Sequence, residues 1–370
     1  MGQPACRACH GQHGDLVLDL GAQPACDYFP RADDPGPDPV YPLQMWLCST
    51  CGLAQLVADP TVPEEPRGTE PGALVAQAVD AVERVARAGL LPEGGRVAEY
   101  GSPHGGSWLG LLADRGLTPV NEGERADVVV DCFGLMHAAD QSGALGERVA
   151  RVATGGVLLL QYHSLNTIVR CGQWNVLRHG HYAYYSTSAL AEMLAAKGFS
   201  PRMAWHFELY GGTVLLAATP RPGTYLGQDG SVEEILAEED QVGARDPSVV
   251  GGLQRYSEAR ANALHDWLVA QRASGRTVLG YGAASRAVAL LLRAGTDRAL
   301  LPAVVDASPA KQGLRMPGTD IPVVGPDVLR AQRPDAVLLF VPDLLKEVRA
   351  AFPEVEGSGG TWVDADSFGS

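Results

Sequence analysis

A chain of 370 residues, 46% hydrophobic and 19% charged, has room for two or three packed domains and the composition of an ordinary globular protein. Its net charge of −14 excludes the broad basic face that nucleic-acid binding needs, though not a local cationic pocket for a phosphate. No charged segment followed by an apolar run opens the chain and no apolar stretch reaches membrane-spanning length. The expectation is therefore a cytoplasmic enzyme with a small-molecule substrate, acting as a monomer or homodimer.

Seven cysteines in a reducing compartment point to metal or free thiols before disulfides. "CRAC" and "CSTC" set Cys6, Cys9, Cys48 and Cys51 as two CxxC pairs. Two such turns meeting make a tetrahedral thiolate cage for zinc. A four-cysteine site has no open position, so this zinc would fold a lobe and not catalyse. Unligated thiols are the plainer alternative, and redox chemistry lacks a strand–helix context. The Pro-, Glu- and Gly-rich run 58–72 reads as a linker.

After the linker, Val75, Val79, Val82 and Val85 recur at helical spacing. Residues 96–100 read as a buried strand, 101–106 as a glycine loop and 107–115 as a helix, the opening unit of a doubly wound sheet. Glu99 followed by G-x-x-x-G (Gly101, Ser102, Gly105) is a pattern used to hold S-adenosylmethionine; a tight structural turn is the alternative. Strands ending near Asp131 and over 157–161 follow, then a helix with Ser186 as N-cap. The stretch "RHGHYAYYS", 178–186, falls in a loop just before that helix. Histidine, arginine and tyrosine on a loop beside such a sheet suit chemistry.

The C-terminal part repeats the strand, glycine loop and helix order at "TVLGYGAASRAVALLL". Gly280-x-Gly282-x-x-Ser285, with Asp306 further on, nearly matches a dinucleotide fingerprint but lacks its third glycine. A loop cradling a substrate phosphate beside Arg286, or a purely structural turn, are the other readings. The expected architecture is α/β: a zinc-binding lobe (1–66), a methyltransferase-like domain (67–230) and a C-terminal Rossmann-like domain (231–370).

This order resembles one family, the three-domain sugar C-methyltransferases that act on nucleotide-linked deoxysugars in antibiotic pathways. "CRAC…LDLGAQP…CSTCGLAQL" looks like its zinc lobe and "VAEYGSPHG" is similar to its methyl-donor loop. "GYGAASRA", "VVDASPAKQG" and "PGTDIPVV" look like its C-terminal domain. The resemblance implies S-adenosylmethionine held by Glu99, Gly101, Ser102, Gly105, Glu122 and Asp131. It implies a sugar nucleotide between the middle and C-terminal domains, touched by Arg178, Gly280, Tyr281, Gly282, Ser285 and Arg286. It implies His181 as the base that removes a proton alpha to a keto group, with His179, Tyr184 or Tyr210 stabilising the enolate.

The chain also departs from the family. In the motif "YHEHxSYFS" the tyrosine becomes Arg178 and the glutamate becomes Gly180. "HGGS" becomes "YGGT" at 210–213. Several dozen residues around the adenosine are missing between Glu122 and Asp127. Two alternatives to methyl transfer follow: a cofactor-free proton abstraction such as epimerisation or elimination, and a non-catalytic scaffold.

Overall fold

The computed structural model describes residues 4–34, 36–61, 72–101, 106–221 and 229–369. The N-terminal lobe holds β1 (Gly14–Pro24), β2 (Val40–Cys48) and β3 (Ala54–Leu56), all antiparallel. The middle domain contributes β4 (Arg96–Tyr100), β5 (Thr118–Pro119), β6 (Ala126–Cys132) and β7 (Val152–His163). Next come β8 (Ala183–Tyr184), β9 (Phe199–Phe207) and β10 (Thr213–Pro220). The C-terminal domain carries β11 (Val278–Tyr281), β12 (Val304–Val305), β13 (Val323–Val324), β14 (Ala336–Leu339) and β15 (Thr361–Asp364).

The middle sheet runs β5-β4-β6-β7-β10-β9, with the first four strands parallel and β10 antiparallel to both neighbours. Strand β6, "ADVVVDC", is buried almost throughout, as a parallel strand covered on both faces requires. The C-terminal sheet is wholly parallel in the order β13-β12-β11-β14-β15. Its strand order reverses between β11 and β14, and ligands bind at the carboxyl ends of strands flanking such a reversal. The molecule is thus α/β, a small lobe followed by two Rossmann-like domains. No described helix is long and apolar enough to cross a membrane.

Two contacts cross the boundaries that the sequence suggests. Strand β8, inside the middle segment, pairs with β3 and completes the lobe's sheet as β1-β2-β3-β8. Helix Ser231–Val242 sends Val232 and Ile235 into the core that holds Leu194 and Phe199, so it braces the middle domain. The reason is local: buried Glu239 accepts hydrogen bonds from the amides of Thr187 (2.5 Å) and Ser188 (2.9 Å), at the start of helix Thr187–Ala196.

The lobe and the C-terminal domain share one core, in which Val17, Leu18 and Leu20 of β1 cluster with Leu264, Leu268 and Leu290. A buried ion pair locks this junction. Arg315 donates from both terminal nitrogens to Asp38 at 2.7 and 2.6 Å, and the Gly318 amide donates to the same carboxylate at 2.6 Å. Burial pushes the Asp38 carboxyl up, but Arg315 and the Gly318 amide together hold it below its ordinary range. A depressed carboxylate contributes stability above its unfolded pKa that is lost as pH falls through the folded value. Asp38→Ala leaves a buried guanidinium without its partner and is expected to cost about 3–5 kcal/mol in urea unfolding at neutral pH. A loss under ~1 kcal/mol would show that water replaces the carboxylate.

Candidate active site

The four motif cysteines converge. Their sulfurs all lie within 4.8 Å of one another, with Cys6 3.5 Å from Cys51 and Cys9 3.6 Å from Cys48. Tetrahedral thiolates about 2.3 Å from a zinc ion stand at nearly this separation. The turns are built for it: the Gly52 amide donates to the Cys48 carbonyl, and Gly52 and His10 adopt the left-handed conformation that closes each knuckle. A hydrogen bond from the Cys51 thiol pulls Cys6 down to about 5, which favours the thiolate form that a metal takes. Zinc therefore fits, as a structural ion.

The zinc knuckle reaches the histidine loop directly. Arg7, between the first two cysteines, bonds the Leu56 carbonyl at 3.3 Å and the Ala139 carbonyl at 3.0 Å, and its guanidinium stacks 4.8 Å from the Tyr182 ring centroid. With β8 paired to β3, the lobe fixes both sides of residues 178–184.

Within that loop His181 meets Arg178 and His137. Nε of Arg178 donates to its Nε2 at 2.8 Å, and a terminal guanidinium nitrogen contacts the same atom. An acceptor role for Nε2 places the ring's proton on Nδ1 and makes the imidazole neutral. His137 packs edge-on against it, with centroids 4.6 Å apart. The Nδ1 of His137 bonds the Gly180 carbonyl at 2.9 Å, which orients the ring. Gly180 has φ +85, so a glycine suits this turn where the family carries glutamate. Acids come instead from the lobe: Asp59 accepts the Gly180 amide at 2.6 Å, and Asp27 lies 3.6 Å from Arg178. The loop has exchanged its own acid for two borrowed ones.

The other expected catalytic side chains take different places. His179 is 2% exposed, with Nε2 3.3 Å from the Pro42 carbonyl of β2; burial holds it below the ordinary histidine range. It wedges the loop to the lobe. The Tyr184 hydroxyl accepts from the Arg178 amide at 3.1 Å and donates to the Val176 carbonyl at 3.2 Å, so it shapes the loop from beneath. Tyr210 lies on the far side of the site. It has φ +56, and its ring meets Phe133, itself at φ +58, with centroids 5.9 Å apart. Two non-glycine residues in this conformation, in contact at a strand end, store strain of about 1–3 kcal/mol each.

At the glycine loop after β4, Glu99 accepts from the Ser107 hydroxyl (2.6 Å) and the Trp108 amide (2.5 Å), tying strand to helix. Gly101 follows; Ser102 and Gly105 lie outside the described residues. A Cβ on Gly134 would stand 2.9 Å from the Gly101 carbonyl, so the loops after β4 and β6 touch. Glu122 is exposed just beyond β5, about 20 residues past Gly101, the spacing at which an acid meets a ribose. Asp131 points elsewhere: it takes the Gly134 and Leu135 amides and pairs with buried Arg148, which builds the turn and leaves no oxygen for a ligand. Strand β5 is the sheet edge, and the turn 121–125 leads from it straight into β6.

Facing this, Ser285 and Arg286 open helix Ser285–Arg293 beyond β11. The Ser285 hydroxyl accepts from Arg178. Arg286 donates to the Phe340 carbonyl at 2.8 Å and lies 3.9 Å from Asp343, which also takes the Tyr210 amide at 3.1 Å. The middle and C-terminal domains thus meet through Arg178–Ser285 and Tyr210–Asp343. Gly280 packs against Phe340 and Val304, and the Tyr281 ring sits between Phe352 and Trp362, so both serve the core. Gly282, at φ +89, makes the turn. Asp306 accepts the Ala283 amide at 2.7 Å, which occupies the acid that a dinucleotide ribose would need.

Sequence spacing did not single out several neighbours of the site. His163 ends β7 and bonds Gln173 at 3.0 Å, and Gln173 in turn bonds the Tyr210 carbonyl. Burial pushes His163 down to about 4, so it is neutral. His137, Asp27, Asp59 and Asp343 join only through tertiary packing; the one available signal was that His163 closes a buried parallel strand. A groove of about 950 Å³ runs alongside, lined by Gln77, Arg84, Asn166, Gly212 and Asp343 among others.

Comparison with known proteins gives two family matches. The family described as "C-methyltransferase C-terminal domain" matches residues 208–365, and that described as "Putative zinc binding domain" matches residues 6–64. C-methyltransferase NovU of Streptomyces niveus is 23% identical over 97% of this chain and 94% of its own. The chain is thus similar to C-methyltransferases along nearly its whole length, at a divergent level of identity. Among solved structures, magnesium protoporphyrin IX methyltransferase of Synechocystis PCC 6803, with bound SAH, aligns over 42% of this chain and 90% of its own (14% identity, TM-score 0.31). The 1,6-didemethyltoxoflavin-N1-methyltransferase of Burkholderia thailandensis aligns over 46% of this chain and 96% of its own (14% identity, TM-score 0.31). In this methyltransferase the two family matches enclose residues 65–207, where the glycine loop after β4 and the histidine loop lie.

Proposed function

We propose that this methyltransferase transfers a methyl group from S-adenosylmethionine to a carbon next to a keto group of a nucleotide-linked deoxysugar, with His181 as the base. The observation that supports the reading is the imidazole of His181, whose Nε2 accepts from Arg178 and whose ring packs edge-on against His137. A neutral imidazole can accept a proton from a carbon made acidic by an adjacent carbonyl. When bound, S-adenosylmethionine supplies the electrophilic methyl group. The Glu99–Gly101 loop and Glu122 fit its methionine and ribose portions. Tyr210, whose ring meets Phe133, donates to the developing enolate oxygen on this reading. Arg178 and Arg286 supply the positive charge for the diphosphate, on opposite walls of the cleft.

The test is transfer of an isotope-labelled methyl from S-adenosylmethionine to a thymidine- or uridine-diphospho-4-keto-6-deoxyglucose. Label on the sugar supports the reading. A second reading, proton abstraction without methyl transfer, is favoured by the bare β5 edge. It predicts His181-dependent uptake of solvent deuterium by the same sugar in the absence of the donor, with no label transferred in its presence.

A further inference from the structure

Tyr210 holds a backbone conformation that its own side chain opposes. At φ 56 and ψ 28 it lies in the left-handed region, where a Cβ crowds the neighbouring carbonyl. A residue stays there only where its surroundings over-determine it. Gln173 and Asp343 do so, one on each side of the residue. The Tyr210 carbonyl accepts from Nε2 of Gln173 at 3.2 Å, and Gln173 is fixed in turn by His163 at 3.0 Å. The Tyr210 amide donates to Oδ1 of Asp343 at 3.1 Å. Gln173 belongs to the middle domain, whereas Asp343 belongs to the C-terminal domain, 133 positions further along the chain than Tyr210. The turn that follows leaves little slack on the Gln173 side. A Cβ on Gly211 would collide with Nε2 of Gln173, and one on Gly212 would stand 2.6 Å from the Thr167 side chain.

Asp343 lies in the short turn Pro342–Leu344 just beyond β14, one of the two strands that flank the reversal in the C-terminal sheet. One carboxylate oxygen holds the Tyr210 amide, and the other lies 3.9 Å from Arg286, the arginine assigned above to the diphosphate. The side chain is 20% exposed and lines the groove alongside Asn166, Gly211 and Gly212. A carboxylate that accepts a backbone amide makes a charge-assisted bond, stronger than one between neutral groups. We propose that Asp343 is a positioning residue for methyl transfer: it reaches across the cleft and, through the Tyr210 amide, sets where the Tyr210 hydroxyl meets the developing enolate. This rests on the reading of Tyr210 as the enolate's donor. On this assignment the effect of Asp343 on the chemical step passes through the tyrosine. The C-terminal domain thereby shapes a step carried out by side chains of the middle domain.

The test follows labelled methyl onto thymidine-diphospho-4-keto-6-deoxyglucose with the full, zinc-loaded chain, in a double-mutant cycle of Asp343 and Tyr210. Asp343→Ala is expected to lower kcat roughly ten- to a hundredfold, the scale of a misplaced group. Asp343→Asn keeps an oxygen for the amide, and its kcat is expected within about threefold of wild type. Both variants remove the charge beside Arg286, so a change in KM is expected to be common to the two, and kcat separates them. In a Tyr210→Phe background, Asp343→Ala is expected to cost nothing further, because the hydroxyl that it positions is gone. A general loosening of the domain junction would instead slow both backgrounds alike. Amide hydrogen exchange gives a readout apart from turnover: protection at Tyr210 is expected to fall in Asp343→Ala and to persist in Asp343→Asn. Should Asp343→Ala fail to fold, Asp343→Leu, of similar volume and without an acceptor, takes its place with the same expectations. Equal losses in the two backgrounds, unchanged protection at Tyr210, or an Asp343→Asn as slow as Asp343→Ala would each overturn the assignment while leaving methyl transfer intact. Wild-type turnover in Tyr210→Phe overturns the reading of Tyr210, and absence of transfer by the wild-type chain overturns the methyl-transfer reading; the assignment falls with either.

Discussion

Cys48→Ser is expected to release the zinc and to disorder the histidine loop along with the lobe. Apparent binding free energies of about 10–16 kcal/mol for structural zinc in small peptides set the scale, so the variant's lobe is expected to be largely unfolded. The effect travels through named contacts. Arg7 follows Cys6 and stacks on Tyr182; β3 follows Cys51 and pairs with Ala183 and Tyr184. Losing the knuckles therefore removes the edge to which residues 182–184 are hydrogen-bonded. Hydrogen exchange resolves this: amide protection at 53–56 and 182–184 is expected to collapse while β6 and β7 keep theirs. Full protection at 182–184 without metal would mean that the middle domain holds the loop unaided. Chelation of the wild-type protein should reproduce the pattern.

His181→Ala is expected to lower methyl transfer about 10²–10⁴-fold, the usual contribution of a positioned general base, with donor binding unchanged. Among the described residues, His181 meets Arg178, His137 and Tyr184. His137→Phe separates roles. It keeps the ring that packs on His181 but loses the bond to the Gly180 carbonyl, and is expected to reduce turnover roughly tenfold through misplacement of the base. An intermediate effect of this kind, with KM little changed, distinguishes a positioning residue from the base itself. Wild-type turnover in His181→Ala would reassign the proton abstraction to another group.

Much of this was legible in the chain. The CxxC pairs, the two strand–glycine loop–helix units and the buried β-branched runs each carry a local signal, because metal geometry, tight turns and parallel strands constrain neighbouring residues. What was not legible is what tertiary packing supplies. Nothing in the spacing places Asp59 on the Gly180 amide or Asp27 beside Arg178, across 121 and 151 positions of sequence. The loss of the motif's glutamate looked like the loss of its acid, whereas the fold brings in two. Conversely, Asp131, Gly280 and Tyr281 have the right types at the right offsets, yet their side chains or backbones face inward. Offsets along a strand end do not say which way the turn is closed, and here Arg148, Phe340 and the pair Phe352 and Trp362 decide it.

The shortened stretch between Glu122 and Asp127 bears most heavily on function. It makes β5 an edge strand of two residues and leaves the acid at its end exposed. On the proposed reading, donor affinity comes mainly from the Glu99–Gly101 loop and Glu122. Calorimetry of S-adenosylhomocysteine binding to the zinc-loaded protein tests this most directly. The account predicts saturable binding in the micromolar range that Glu122→Ala weakens about tenfold, equivalent to ~1.4 kcal/mol. No heat at millimolar ligand, with the protein folded and its zinc in place, would contradict methyl transfer by this chain.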